Sequence, residues 1–150
     1  MDRLWNTIRE EVQHDAGEEP LLANFLYGAV LNHKSLEDAI TFMLAAKLES
    51  TTIPAIAMRD LLEEAFDNDP GIGKAIRTDI RAVKDRDPAC RGYSTPLLYF
   101  KGFHALQSYR AAHYFWARER YHLALFLQSR VSQTFGVDIH PAARIGCGVF

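Results

Sequence analysis

The stretch "PLLYFKGFHALQSYRAAHYFWARERYHLALFLQSRVSQTF", Pro96 to Phe135, decides the fold. Leu123, Phe126, Leu127, Val131 and Phe135 recur at steps of three and four, the spacing at which an α-helix returns side chains to one face. One long helix, or two with a break near Arg118 to Tyr121, satisfies the pattern, and Gly136 is the natural stop. Tyr99, Phe100, Phe103, Tyr109, Tyr114, Phe115 and Trp116 surround much of the circumference of the first half. A face that wide packs on several sides, against the rest of the core or against another subunit, and apolar excess alone does not separate the two.

The helical rhythm extends upstream. Trp5, Ile8 and Val12 keep helical spacing before Gly17 and Pro20 interrupt, and a second apolar segment runs from Leu21 to Leu31. Ser35 offers an N-cap to a helix whose stripe is Leu36, Ile40, Met43, Leu44 and Leu48. Thr52 is expected to cap the next helix, with Pro54 in its first turn and Met58, Leu61, Leu62, Ala65 and Phe66 on its buried face. After "DNDPG", Ile72, Ile76, Ile80 and Val83 mark a fifth helix, which Pro88 halts by disfavouring helical geometry at Asp87. "DRDPACRGYSTP", Asp85 to Pro96, reads as the longest irregular segment, a loop between rigid elements of the kind that often carries function.

Bulk properties narrow the function. A chain of 150 residues, 48% hydrophobic and 24% charged, buries enough surface for a core without staples. A net charge of −2 lacks the cationic footprint of a non-specific nucleic-acid binder, so neither DNA nor RNA is an expected partner. Cys90 and Cys147 form no C-x-x-C pair and read as free thiols of a reducing compartment. The longest clean apolar run is "LALFL", far short of the ~20 residues that span a bilayer, and the charged N-terminus is no signal peptide. A cytoplasmic protein without membrane contact is expected.

Most motif candidates fail on spacing. "PGIGKA" lacks the first glycine of a phosphate loop, where Asn68 stands, and the Ser or Thr after Lys74, where Ala75 stands. "IGCG" has no strand-to-helix context for a dinucleotide fingerprint. His14, His33, His104, His113, His122 and His140 include no i, i+4 pair, so zinc geometry is absent and no metal is expected; His113, among aromatics, reads as a satisfied core imidazole. No serine sits in a G-x-S-x-G elbow.

The carboxylates are more informative. Asp85 and Asp87 flank Arg86 at a helix end, and Pro88 restrains the backbone, so Asp87 is either aimed into a site or part of a solvated charge cluster. In the closing "VDIHPAARIGCGVF", Val137, Ala143 and Val149 fall six apart, as do Ile139 and Ile145, a period that suits neither a helix nor an alternating strand. Asp138 would point away from Val137 and Ile139 in an extended chain, where it could orient an imidazole or simply meet solvent.

Taken together, "RDPACRGYSTPLLYFKGFHALQSYRAAHYFW", "FLQSRVSQTFGVDIHPAARIGCG" and, upstream, "MLAAKLESTTIPAIAMRDLLEEAF" closely resemble serine acetyltransferase. The resemblance implies a mainly α fold: a helical N-terminal domain of about eight helices, residues 1–136, leading into a left-handed parallel β-helix that begins at 137–150. "IHPAAR" and "IGCGVF" are then its first two hexapeptides, with Ile139 and Ile145 inward and Gly146 at a corner. Three hexapeptides make one coil of such a fold, so the segment is expected to be a truncated start, frayed or held by a subunit contact.

The same resemblance implies transfer of an acetyl group from acetyl-CoA to the hydroxyl of L-serine, the step that opens cysteine biosynthesis. A hydroxyl is a weak nucleophile at neutral pH and needs a base. In the family the base is a histidine with no counterpart here, while Asp138 matches the aspartate that pairs with it and approaches substrate. Asp87 and Pro88 match the pair that holds serine, the carboxylate facing its ammonium. No cofactor is expected to bind this chain, acetyl-CoA being a co-substrate of the intact enzyme, and the chain alone is expected to lack useful activity. Expected partners are further copies in a dimer of trimers joined by the helical domains, L-serine, and L-cysteine as feedback inhibitor. Docking of O-acetylserine sulfhydrylase needs a C-terminal tail missing here. Two alternatives stand beside this reading: an oligomerisation module only, or another hexapeptide-repeat acyltransferase, since "IHPAARIG" recurs widely.

Overall fold

The computed structural model describes residues 2–149. Helix α1, Arg3–Glu18, starts where Asp2 accepts a hydrogen bond from the Trp5 N–H at 3.1 Å, and it buries Leu4, Trp5, Ile8, Val12 and Ala16. The expected second segment is real but wound three ways: a 3-10 turn over Pro20–Leu22, α2 over Ala23–Leu26, and a π turn over Tyr27–Leu31. Beside that wide turn the His33 ring sits 2.9 Å from the Gly28 carbonyl and 3.0 Å from an Asp38 carboxylate oxygen, each partner five residues away.

Helix α3, Leu36–Leu48, opens at Ser35 as expected, its hydroxyl accepting from the Asp38 N–H at 3.0 Å. Helix α4, Ala55–Asn68, starts later than Thr52. Ser50 is what closes the turn, accepting from the Ile53 N–H and donating its own N–H to the Ile53 carbonyl, and Pro54 falls at the N-cap. Helix α5, Pro70–Arg86, has Asp69 as cap and proline in its first position, and the irregular segment after it is shorter than expected because α6 already begins within "STP", at Ser94–Tyr99.

The stretch that decides the fold resolves into α7, Lys101–Ala117, and α8, Tyr121–Phe135. The break comes at Arg118 to Arg120, where Glu119 takes a left-handed φ of 62° and the Arg118 and Arg120 guanidiniums lie over the Tyr114 and Phe115 rings. Folding back lets both helices bury their aromatic faces within one chain: Phe103, Tyr109, Tyr114 and Phe115 are all core residues. Ile8, Leu36, Ile40, Leu44, Leu48, Met58, Leu62, Ile76, Ile80, Leu97 and Leu127 join Phe115 as fully buried. Tyr99 remains 56% exposed, so most of the wide face belongs to the core and a part does not.

Gly136, at φ 71°, ends α8 as expected. Among the described residues, 137–149 contain no strand and no closed coil. They lie along α5 and α7, held by a hydrogen bond between His113 Nδ1 and the Pro141 carbonyl at 2.7 Å, by Tyr109 Oη on the Ala143 carbonyl, and by Arg110 and Asp79 further on. These partners stand about thirty to seventy positions away in the chain, which is why the six-residue rhythm alone does not reveal them. Phe150, the last residue of the second hexapeptide, lies outside the described residues.

Candidate functional site

Helix α5 delivers Asp87 to the surface. Asp87 takes the C-cap, its N–H bonded to the Val83 carbonyl, and Pro88 prevents a further turn. Asp87 Oδ1 accepts from the Ala89 N–H at 2.9 Å and its carbonyl accepts from the Cys90 N–H, a compact turn that orients the carboxylate. The side chain is half-buried, and Pro88 beside it is exposed. Asp85, the other member of the acidic pair, is exposed and turned to solvent.

The far end of the loop is tied to α1. Glu11 accepts from the Tyr93 N–H at 3.1 Å, the Ser94 N–H at 3.0 Å and the Ser94 hydroxyl at 2.9 Å, placing a carboxylate at the positive end of α6. A side chain at Gly92 would collide with it, since a Cβ there would lie 2.7 Å from Glu11 Oε1. Cys90 is buried, burial raises its thiol pKa, and its Sγ donates to the Gly92 carbonyl at 3.2 Å. It serves as a loop anchor and not as a thiolate.

Asp87 stands at a cavity of about 670 Å³ lined otherwise by Val83, Tyr99, Phe100, Lys101, Gly102, Phe103, Leu106, Ile139, Ile145 and Val149. The lining is mostly apolar, with one carboxylate and one ammonium as its charged groups. Such a place suits a small ligand carrying both a cation and an anion. No histidine lines it among the described residues.

Asp138 is not in this lining. It is exposed and accepts from Gln128 Nε2 on α8 at 2.8 Å, while Ile139, the next residue, turns to the cavity and Val137 packs on the core. The alternation expected of an extended segment is present, and it separates the two aspartates: Asp87 is joined to Ile139 and Ile145 rather than to Asp138. Sequence reading missed Lys101, Glu11, and a buried cluster of Asp79, Gln107 and Arg110 beneath the cavity wall. For Asp79 a signal existed, a charge on the apolar stripe of α5 between Ile76 and Ile80. His113 is engaged with Pro141, as a satisfied imidazole should be, but it is half-buried rather than a core residue. Among the described residues, no group of three or more His, Cys, Asp or Glu side chains could hold a metal ion, and no helix is long and apolar enough to cross a membrane.

The family model for the serine acetyltransferase N-terminal domain matches residues 4–108, which takes in α1 to α6, the Asp87 loop and the start of α7. The chain belongs to the serine acetyltransferase family. Serine acetyltransferase of Escherichia coli strain K12 is 51% identical over 149 residues, an alignment covering 99% of this chain and 55% of that protein. The crystal structure of serine acetyltransferase from Vibrio cholerae superposes with a TM-score of 0.96 at 46% identity, covering 99% of this chain and 57% of that one. The Neisseria gonorrhoeae serine acetyltransferase in complex with serine gives 0.91 at 47% identity, over 96% of this chain and 60% of that one. Other matching serine acetyltransferases are complexes with cysteine and with CoA. The chain spans about half the length of the curated relatives it matches.

Proposed function

We propose that this chain is the helical half of a serine O-acetyltransferase of the cytoplasm, and that it supplies one wall of the L-serine site. In this reading residues 1–136 are the helical domain and 137–150 open the hexapeptide β-helix. Asp87, oriented by its own turn and by Pro88, faces the ammonium of serine, and Asp138 approaches the reacting group with a histidine supplied outside these 150 residues. Acetyl-CoA is the acyl donor and L-cysteine competes at the same place. The observation that carries the reading is the Asp87 carboxylate at the edge of a cavity sized for a small molecule, in a chain whose relatives have been solved with serine and with cysteine.

The test follows amide resonances of the chain during titration with L-serine. Ala89 and Cys90 should shift in the wild type, and Asp87→Asn should abolish the response while leaving the fold intact. Absence of a shift in the wild type at high serine refutes this placement of the substrate. Acetyl transfer by the chain alone should be lower by on the order of 10²- to 10⁴-fold than in a protein that includes the base, the usual effect of losing general-base catalysis.

A second reading, self-association through the early helices, has its own observation. Leu21 is 92% exposed, and the partly exposed aromatics Phe25, Phe42 and Tyr99 line a groove of about 560 Å³ near α2. In this reading helical domains join β-helix trimers in pairs, so light scattering should report dimers of this chain, and a monomer at high concentration would remove the reading.

A further inference from the structure

Asp79 is fully buried, and its neighbours on the α5 face are Ile72, Ile76, Ile80 and Val83. An apolar residue is what this stripe calls for. Burying a carboxylate carries a desolvation penalty that a paired cation repays only with good geometry, and well-packed apolar residues in place of such a pair often fold as stably or better. A broken local rule of this kind asks what the charge does.

The bonds answer it. Asp79 Oδ2 accepts from Gln107 Nε2 at 2.9 Å and from Arg110 Nη2 at 2.6 Å, both on α7. Its other oxygen leaves the helices: Oδ1 accepts from two successive backbone amides, Gly148 at 2.6 Å and Val149 at 3.3 Å. Arg110 Nη2 also donates to the Gly146 carbonyl at 3.0 Å, and its Nε is held by Gln107 Oε1. Gly148 takes φ 75°, the left-handed backbone that lets adjacent N–H groups converge on one acceptor. One buried acid therefore grips the 148–149 amides while its paired base holds the Gly146 carbonyl of the same segment.

Ile145 and Val149, which flank that grip, line the Asp87 cavity. We infer that Asp79, Gln107 and Arg110 are a positioning cluster: they set the place of residues 146–149 and through them the part of the cavity wall that Ile145 and Val149 form. None of the three touches the cavity itself. Its consequence for serine affinity rests on the reading proposed above; its consequence for the segment does not.

The experiment compares the wild-type chain with Asp79→Asn and with the triple variant Asp79→Leu, Gln107→Leu, Arg110→Met, which replaces the cluster by apolar groups. Amide exchange should accelerate at Gly148 and Val149 by roughly tenfold or more, the factor that corresponds to losing one charge-assisted hydrogen bond. Methyl resonances of Ile145 and Val149 should shift, and exchange at Ile76 and Ile80 should keep its wild-type protection. Unchanged exchange at Gly148 and Val149, or equal acceleration at the core amides, overturns the inference. If either variant fails to fold, Gly148→Pro decides instead, because it removes one gripped amide and forbids the left-handed φ while leaving the side chains of the buried cluster unaltered. It should move the same methyl resonances of Ile145 and Val149, and unmoved methyls refute the assignment. Serine titration forms the second arm. A wild type that ignores serine defeats the substrate reading and leaves the exchange result standing, whereas a responsive wild type should lose affinity in the variants with no matching loss of core protection.

Discussion

Glu11 is the residue whose removal should most clearly expose how the Asp87 loop is held. The change Glu11→Ala deletes three hydrogen bonds, to the Tyr93 N–H, the Ser94 N–H and the Ser94 hydroxyl, and takes a negative charge from the positive end of α6. Hydrogen bonds to a charged group are worth about 1.5–3 kcal/mol each when buried, and the charge at a helix start adds about 0.3–1 kcal/mol. Glu11 is half-buried, so water recovers part of the loss at the two amides, and the net cost falls to about 2–3 kcal/mol. For a chain of this size that lowers Tm by roughly 5–10 °C. Glu11→Gln keeps one acceptor oxygen and should cost about 1 kcal/mol, because a neutral bond is about half as strong. Urea melts of both variants measure the energies, and amide exchange at Ala89 to Tyr93 reports the loop. A Glu11→Ala melt within about 0.5 kcal/mol of wild type, the range of an ordinary surface change, would refute the reasoning, as would equal losses in the two variants.

Two glycines should respond to alanine with opposite signs. Gly17 in α1 has open space around the added Cβ and should gain about 0.5–1 kcal/mol, whereas a Cβ at Gly73 would lie 2.5 Å from Glu37 Oε2 and push it off Arg77, a net loss of about 1 kcal/mol in urea melts. Stability should fall in two steps on acidification. Burial holds His104 below its ordinary 6.5 despite a hydrogen bond to the Leu97 carbonyl, so the unfolded chain takes up a proton that the folded one resists, and Tm should begin to drop just under pH 6.5. The second step comes below about 4.5: the Arg77 hydrogen bond holds Glu37 below that ordinary value, and at Asp2 burial pulls upward but Arg77 and the Trp5 N–H outweigh it, so their stabilisation is present above the unfolded values and lost as pH falls through the folded ones. His104→Gln should flatten the first step alone in a Tm-against-pH series. Iodoacetamide should label Cys147, which is exposed, well before Cys90, which is buried with its thiol pKa raised, and mass mapping of the first adduct checks the order.

Local rules read well from this chain wherever side chains repeat on one helix. Ser35, Gly136, the apolar stripe of α3 and the Asp87–Pro88 stop of α5 all stand where propensity and period put them. Thr52 is a good cap by type, but α4 starts after it, with Pro54 at the N-cap, because the turn before the helix is closed by Ser50, whose hydroxyl accepts from the Ile53 N–H. The site was legible in part. Asp87 could be singled out by the proline after it, but Lys101, Glu11 and the Asp79 cluster carry no local mark of what they reach.

What the amino-acid order determined unaided was a helical chain interrupted near Pro20, Pro88 and Gly136, a carboxylate fixed at the end of α5, and a closing segment of different period, because each depends on forces acting within a few residues. What only the tertiary structure decided was which side of that closing segment faces α5 and α7 and how Asp87 comes to share a cavity with Ile139 and Ile145 and not with Asp138. The physical reason is that residues 137–149 make no regular hydrogen-bonded ladder of their own, so the place of their backbone is set by Asp79, Tyr109, Arg110 and His113, groups brought to them only when the helices pack.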